Sequence, residues 1–426
     1  MLDIKQIRLE PEKYRKGLSA KGAEGKLDEL LTLDTERRSY VSEVDQLKGL
    51  RNRVTEEIAA LKKARQSADD KIIEMRRVGE QIKKLDDKIK EIEDKLTNIV
   101  IILPNIPHES VKIGRSPDEN EVVKFWGEKP TYDFPLKDHL EIGDSLGIID
   151  FHRSSKISGA GFPMYVGAGA KLERSIINFM LDFHTEKHGY KEIFPPFLVN
   201  RDSAFGTGQL PKLEEDMYHT SEDDLFLIPT AEVPVTNIHR DEILQENKLP
   251  IKYAAYSGCF RREAGSYGKD TRGLSRVHQF NKVEMVRFTT PESSYIAHEE
   301  LLRDAEEILQ ALKLHYRVVL LCSGDMSFAA AKCYDIEVWA PASQKYFEVS
   351  SISNFEDFQA RRANIRYRKN SDGKVGYVHT LNGSGVATPR LMIALLETYQ
   401  TDEGKVIVPE ALQPYTGFSL INGENG

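Results

Sequence analysis

Phe260 to Met285 reads FRREAGSYGKDTRGLSRVHQFNKVEM, with Arg261, Arg262, Lys269, Arg272, Arg276 and Lys282 set against Glu263, Asp270 and Glu284, in a chain whose formal net charge is −8. A run of charges is most often a solvated face. Residues two apart on a strand share a face, so Arg261 goes with Glu263, and His278, Phe280, Lys282 and Glu284 go together. A face that mixes cations, an aromatic ring and carboxylates suits a ligand better than it suits water. Between the two halves, AGSYGKDTRG holds three glycines that permit tight turns, with Lys269 and Arg272 placed to close over an anion. The expected arrangement is strand, cationic flap, strand.

The surroundings follow from composition. A chain of 426 residues exceeds one typical core, so two or more domains are expected. With 30% charged and 40% hydrophobic residues it should be soluble and folded. The opening MLDIKQIRLEPEKYRKG has no apolar signal region, and its acidic residues argue against a transit peptide. No apolar stretch reaches membrane-spanning length, so a cytoplasmic location and no membrane partner are expected. Cys259, Cys322 and Cys333 are odd in number and widely spaced, which suits reduced thiols and no zinc site.

The first hundred residues differ in texture from the rest. Ile72, Met75, Val78, Ile82, Leu85, Ile89, Ile92, Leu96 and Ile99 recur at steps of three and four, the seam of a coiled coil, and Tyr40, Val44, Leu47, Val54, Ile58 and Leu61 keep nearly the same spacing. QSADD, Gln66 to Asp70, separates the runs with turn-prone residues, so an antiparallel helical hairpin is expected. LPNIPH, Leu103 to His108, carries helix breakers and marks the boundary, giving domains 1–108 and 109–426. Residues 1–100 hold 23 Lys and Arg against 21 Asp and Glu, and the remainder 36 against 46. The arm is slightly basic and the body acidic. Arg51, Arg53, Lys62, Lys63, Arg65, Lys71, Arg76 and Arg77 gather near the tip, as an arm laid along a phosphate backbone requires, although coiled-coil flanks are commonly charged for solubility alone.

The second part alternates helices with β-rich runs. Leu172, Ile176, Met180 and Phe183 share one helical face that Gly189 can stop, and YKEIFPPFLV is a strand broken by Pro195 and Pro196, which belongs at an edge or an interface. RVVLLCSG, YDIEVWAP and KYFEVSSIS are strand-like, and YVHTLNGSGVATPRLMIALLETYQ reads as strand, glycine turn and helix. Regular β-α-β alternation is missing, so the fold class is α+β, with a mainly antiparallel sheet flanked by helices. There is no P-loop, GAGAKL is a weak match to a dinucleotide-binding loop, and His184 and His188 lack a correctly placed glutamate for a zinc protease. No nucleophilic triad stands out. Positional and electrostatic chemistry is what remains.

Five blocks in order, behind a helical hairpin, resemble a seryl-tRNA synthetase of the bacterial type along nearly the whole chain. GYKEIFPPFLVN looks like class II motif 1, the stretch from Phe260 like motif 2, LNGSGVATPRLMIALLETYQ like motif 3, and PTAEVP and EVSSISNFEDFQARR like the family's substrate segments. The resemblance implies a six- or seven-stranded antiparallel catalytic sheet, a homodimer formed through motif 1, and activation of L-serine with ATP and Mg²⁺ before transfer to tRNA(Ser). It assigns Arg261, Glu263 and Arg390 to catalysis: Arg261 to the α-phosphate and serine carboxylate, Glu263 to adenine or its metal, and Arg390 to the γ-phosphate. Phe280 would stack on adenine and Arg272 meet the γ-phosphate, with Arg262, Val277, His278, Gln279, Glu348, Val349, Ser350 and Ser351 around the nucleotide and Glu348 and Ser351 holding Mg²⁺. Thr230, Ala231, Glu232, Arg261, Glu284 and Ser384 would surround serine.

By the same resemblance the hairpin grips the long variable arm of the tRNA, the anticodon goes unread, and tRNA(Sec) is a further substrate where one exists. Two departures are visible. ISGAGFPMY lacks an arginine near Ala160 or Gly161, and VATPR has Pro389 where most relatives have glycine. Pro389 is tolerable in a first helical turn. Relatives that activate an amino acid for a carrier protein lack the hairpin, and an inactive scaffold paralogue would have lost some of Arg261, Glu263, Phe280, Glu284 and Arg390, all present here.

Overall fold

The apolar seam read from the N-terminal hundred residues is buried as two long helices, α1 (Leu27–Lys63) and α2 (Asp69–Val100). The computed structural model describes residues 1–264 and 272–423; it divides into two units, Met1–Pro104 and Asn105–Gly426. In the first, Val44, Val78, Ile82 and Leu85 form a core with Tyr40, Leu47, Met75 and Ile89 against it. Cross-arm contacts from Arg37 to Glu93 at 2.8 Å, Gln81 to Glu43 at 3.2 Å and Lys48 to Asp86 at 3.8 Å fix the antiparallel pairing. Such exposed pairs contribute at most about 1 kcal/mol each, whereas each buried Leu, Ile or Val contributes about 1.5–3 kcal/mol, so the seam carries the stability.

Two expectations about the hairpin need correction. Ile72, expected on the seam, is 41% exposed and lies off it in the first turn of α2, although its neighbour Lys71 still pairs with Glu57 of the facing arm. Asp69 and Asp70 belong to the helix and not to the turn, where their charges complement the exposed N–H groups of its first turn.

The second unit begins on a pinned segment. Asn105 accepts no freedom: its N–H donates to the Phe328 carbonyl at 2.9 Å and its Nδ2 to those of Ala329 at 3.0 Å and Phe355 at 2.9 Å. Eight strands then form one sheet: β1 (Glu121–Trp126), β2 (Lys191–Ile193), β3 (Ile251–Phe260), β4 (Gln279–Thr289), β5 (Tyr316–Leu320), β6 (Lys332–Ala340), β7 (Lys345–Asn354) and β8 (His379–Ala387). Their order is β1-β5-β6-β7-β8-β4-β3-β2, antiparallel throughout except β2 on β3. Six or seven strands were expected; short edge strands on both sides raise the number to eight. Pro195 and Pro196 end β2 at that edge, since neither supplies a ladder donor.

Three helices cover the sheet: α3 (Ala168–Asp182), α4 (Ser294–Ala311) and α5 (Thr388–Thr398). Leu172, Ile176 and Met180 of α3 pack in one core with Leu301 and Ile308 of α4, Leu391 and Leu395 of α5, and Met285, Ile336 and Ile352 of the sheet. The expected glycine turn after LNGSG is a continuous strand. Gly383 and Gly385 lie inside β8, where a Cβ at Gly383 would stand 3.1 Å from Ile352 Cγ1 and one at Gly385 2.5 Å from His184 Nε2. These glycines serve close approach, not a change of direction. The turn into α5 comes from a bulge instead: Ser384 faces Glu284 but Ala387 faces Lys282, and Val386 takes φ +120°.

Candidate active site

Strand β4 carries Phe280, Lys282 and Glu284 on one side, and all three line a cavity of about 610 Å³. Neighbouring β8 brings Ser384 opposite Glu284 in register, and the start of α5 brings Arg390 to the same cavity. A sheet face thus supplies one wall, a helix N-terminus and the segment after β3 the others.

At the Phe280 end the guanidinium of Arg261 lies 5.0 Å from the ring centroid, its Nε donating to the Pro229 carbonyl at 3.4 Å. Arg261 and Glu263 are not on one strand face as expected. β3 ends at Phe260, Arg261 N–H makes a last rung to the His278 carbonyl at 2.9 Å, and Glu263 turns away with φ +50°. That left-handed backbone sets the Glu263 carboxylate on Arg276 Nη1 at 2.7 Å. From the other side Arg390 donates Nε to the Ser275 carbonyl at 3.0 Å and Nη1 to the Glu348 carbonyl at 2.9 Å, with the Glu348 carboxylate at 3.3 Å. Arg390 is the third residue of α5, so the free N–H groups and dipole of that helix add to its charge.

Glu348 and Ser351 are three apart and would ordinarily face opposite ways. A bulge places Val349 between the pairs Ile336–Ser350 and Glu337–Glu348, so Glu348 joins Ser351, Asp335 and Glu337 on one face. Carboxylate and hydroxyl oxygens are hard donors of the kind Mg²⁺ takes, and both residues line the cavity. Among the described residues there is no group of three or more His, Cys, Asp or Glu able to hold a metal ion by themselves. His184 and His188 meet each other at 3.0 Å through Nδ1, and His188 Nε2 meets Glu307 at 3.2 Å.

At the Glu284 end the groups are buried and interlocked. Glu284 is 1% exposed, and Thr230 Oγ1 donates to its Oε2 at 3.1 Å. The same Thr230 oxygen accepts from Lys282 Nζ at 2.8 Å and from the Glu232 N–H at 3.2 Å. Lys282 is also ion-paired with Glu284 Oε2. Glu232 Oε1 accepts from Gln359 Nε2 at 2.6 Å; burial, and then the charge of Glu284, push its carboxyl up to about 7. Gln359 in turn is held by the Thr380 hydroxyl at 2.7 Å.

Of the residues proposed from sequence, the cavity gathers Arg261, Glu263, Val277, Phe280, Glu348, Val349, Ser350, Ser351 and Arg390 with Thr230, Glu232, Glu284 and Ser384. Arg262, Arg272, His278, Gln279 and Ala231 are not among its lining residues. Ala231 is fully buried in a core with Val235, Ala255 and Val286. His278 turns towards Phe162, 5.3 Å between centroids, and its ring leaves no room at Gly161, where a Cβ would lie 2.5 Å from Cδ2. A side chain at that position would have to displace the His278 ring and take a strained backbone. Lys269 lies outside the described residues. Sequence reasoning gave no site role to Arg276, Lys282 or Asn382, all cavity-lining, nor to Gln359 behind them.

On the hairpin, Arg51, Arg53, Lys62, Lys63, Arg76 and Arg77 are all exposed. None of the six enters a side-chain ion pair among the described residues. Among those residues no helix is long and apolar enough to cross a membrane.

Comparison with known proteins matches residues 1–107 to the seryl-tRNA synthetase N-terminal domain and residues 213–399 to the class II tRNA synthetase core domain (G, H, P, S and T). A serine–tRNA ligase of Chlorobium phaeovibrioides is 60% identical over 429 residues, covering 99% of both chains. The crystal structure of a seryl-tRNA synthetase from Pyrococcus horikoshii complexed with ATP superposes with TM-score 0.95 at 39% identity, covering 99% of each chain. That of a cytoplasmic serine–tRNA ligase from Naegleria fowleri with AMP gives 0.91 at 29%, again over 99% of each.

Proposed function

The chain belongs to the seryl-tRNA synthetases, enzymes of class II, and on that premise we propose that its cavity joins L-serine to ATP as seryl-adenylate and passes the seryl group to tRNA(Ser). The observation that carries this reading is the pairing of ends on β4. Phe280 with Arg261 at one end suits an adenine ring, Glu284 at the other suits an ammonium, and four steps along the strand separate them by about 13 Å.

Between these ends the serine carboxylate attacks the α-phosphorus in line, a P–O bond forms, and pyrophosphate leaves with the electrons of the bond that breaks. Arg261 neutralises the carboxylate and α-phosphate as they meet; Arg390, released from Glu348, receives the outer phosphates. Mg²⁺, held through Glu348 and Ser351, would offset phosphate charge when the nucleotide binds. A terminal ribose hydroxyl of the tRNA then attacks the seryl carbonyl and AMP departs. No side chain becomes covalent. Alanine is disfavoured because a buried site built for a hydroxyl is left with unpaired polar groups.

We read residues 1–108 as the tRNA-binding domain and 109–426 as the catalytic one. Six exposed cations on the hairpin, none in a side-chain ion pair among the described residues, suit a phosphate backbone. Recognition of the long arm rather than the anticodon would extend the activity to tRNA(Sec). A homodimer through motif 1 is supported by the β2 edge, which Pro195 and Pro196 end beside Phe194, 75% exposed. The expected location is the cytoplasm. Incubation with labelled serine and ATP, without tRNA, tests the core of this reading: label should stay with the protein as adenylate, and none retained would refute it.

A further inference from the structure

Thr230 has one hydroxyl proton and two lone pairs, and all three are taken. The proton goes to Glu284 Oε2 at 3.1 Å; the lone pairs accept from Lys282 Nζ at 2.8 Å and from the Glu232 N–H at 3.2 Å. Its hydroxyl is locked and has nothing left for a ligand. The side chain that locks it, Lys282, is 5% exposed and is also the ion-pair partner of Glu284. Lys282 therefore closes a triangle in which Glu284 Oε2 is held twice, on a residue that lines the cavity.

We propose that Lys282 is a positioning residue of the amino-acid site: its ammonium holds Glu284 Oε2 and Thr230 in place, so that Oε1 alone is presented to the substrate ammonium. This rests on the serine-activating reading above. Charge balance supports it. The groups facing Glu284 are Lys282 on its own strand, Thr230 and Glu232 from the segment entering the next helix, Cys259 on β3 and Ser384 on β8. Glu284 thus has one resident cation, Lys282, beside a second carboxyl, Glu232, that burial and the Glu284 charge push up to about 7. Without Lys282 the empty site would bury Glu284 with no counter-ion, a costly arrangement that a free carboxylate relieves by rotating or taking a proton. A lysine two residues away on the same strand holds it by a short tether.

The test is a double-variant cycle read by calorimetry, using a seryl-adenylate analogue with a sulfamate in place of the phosphate, and ATP alone. Lys282→Met should weaken the analogue about tenfold or more while ATP affinity stays within about twofold, and Lys282→Arg should recover part of the loss. In a Glu284→Gln background, Lys282→Met should add less than about twofold, because Lys282 acts through that carboxylate and the pair is removed together without leaving either partner's charge buried alone. Equal loss of ATP and analogue, an undiminished effect in the Glu284→Gln background, or no effect of Lys282→Met would overturn the proposal. A wild-type protein that fails to bind the analogue at all would instead refute the serine-activating reading.

Discussion

The Thr388 hydroxyl donates to Glu173 Oε1 at 2.5 Å, and the Asn281 amide donates to the same oxygen at 2.8 Å. One buried carboxyl thus ties α3 to β4 and to the first residue of α5, two positions before Arg390. Burial pushes Glu173 up to about 7 from an ordinary 4.5, and its Oε2, like the nearby Tyr165 hydroxyl, has no hydrogen-bond partner among the described residues.

The folded protein therefore binds this proton more tightly than the unfolded chain does. Stability from Glu173 is fully present below about 4.5 and is lost as pH rises towards about 7, by up to about 3 kcal/mol. Glu232, also near 7, adds a parallel slope. Urea midpoints measured from pH 5 to 8 should fall in the wild type, and the fall should shrink in Glu173→Gln. An identical slope in the variant would contradict the assignment.

Arg390 bridges Ser275 and Glu348 through three contacts that use both Nε and Nη1. A lysine ammonium cannot reproduce that fork. Arg390→Ala and Arg390→Lys are both expected to raise the KM for ATP or lower kcat by about a hundredfold, with serine KM far less affected. Full activity of the lysine variant would show that charge alone suffices.

How much of this was legible beforehand depended on the kind of signal. The hairpin was readable because a three- and four-residue period survives without tertiary detail, and it failed only at the tip, where Ile72 stands off the seam and Asp69 and Asp70 belong to the helix. The shared face of Phe280 and Glu284 was legible because alternation along a strand sets direction, whereas their roles and the place of Arg390 came from the resemblance. Glu348 with Ser351 was not derivable from alternation, since the bulge at Val349 reverses the parity. The same holds for the bulge before α5, hidden in a run that read as a glycine turn. Lys282 was visible as a charge, but its buried partners lie on two elements, and Arg276 gained its role only once Glu263 left the strand.

The two domains should separate by function. Replacing Tyr40 to Leu96 with a short linker should leave serine-dependent pyrophosphate exchange nearly intact while transfer to tRNA collapses. Reversing Arg51, Arg53, Arg76 and Arg77 should weaken tRNA binding and flatten its dependence on salt, because fewer counterions are released. Glu284→Ala should do the opposite, abolishing exchange with tRNA affinity unchanged. Loss of tRNA binding in Glu284→Ala would break this division of labour.

Phe194 stands 75% exposed beside the proline-terminated edge strand β2, a position that a two-fold partner would cover. Light scattering at micromolar concentration should give the mass of a dimer, and Phe194→Asp should shift it towards the monomer. A monomeric wild type would refute the interface.

The central claim is that one cavity selects serine and activates it with ATP. Pyrophosphate exchange measured with each of the twenty amino acids tests it most directly. Serine should support rapid exchange, with threonine, alanine and glycine weaker by about a hundredfold or more, as a site that pairs a buried hydroxyl requires. Exchange with alanine equal to that with serine, or none with serine, would contradict the account.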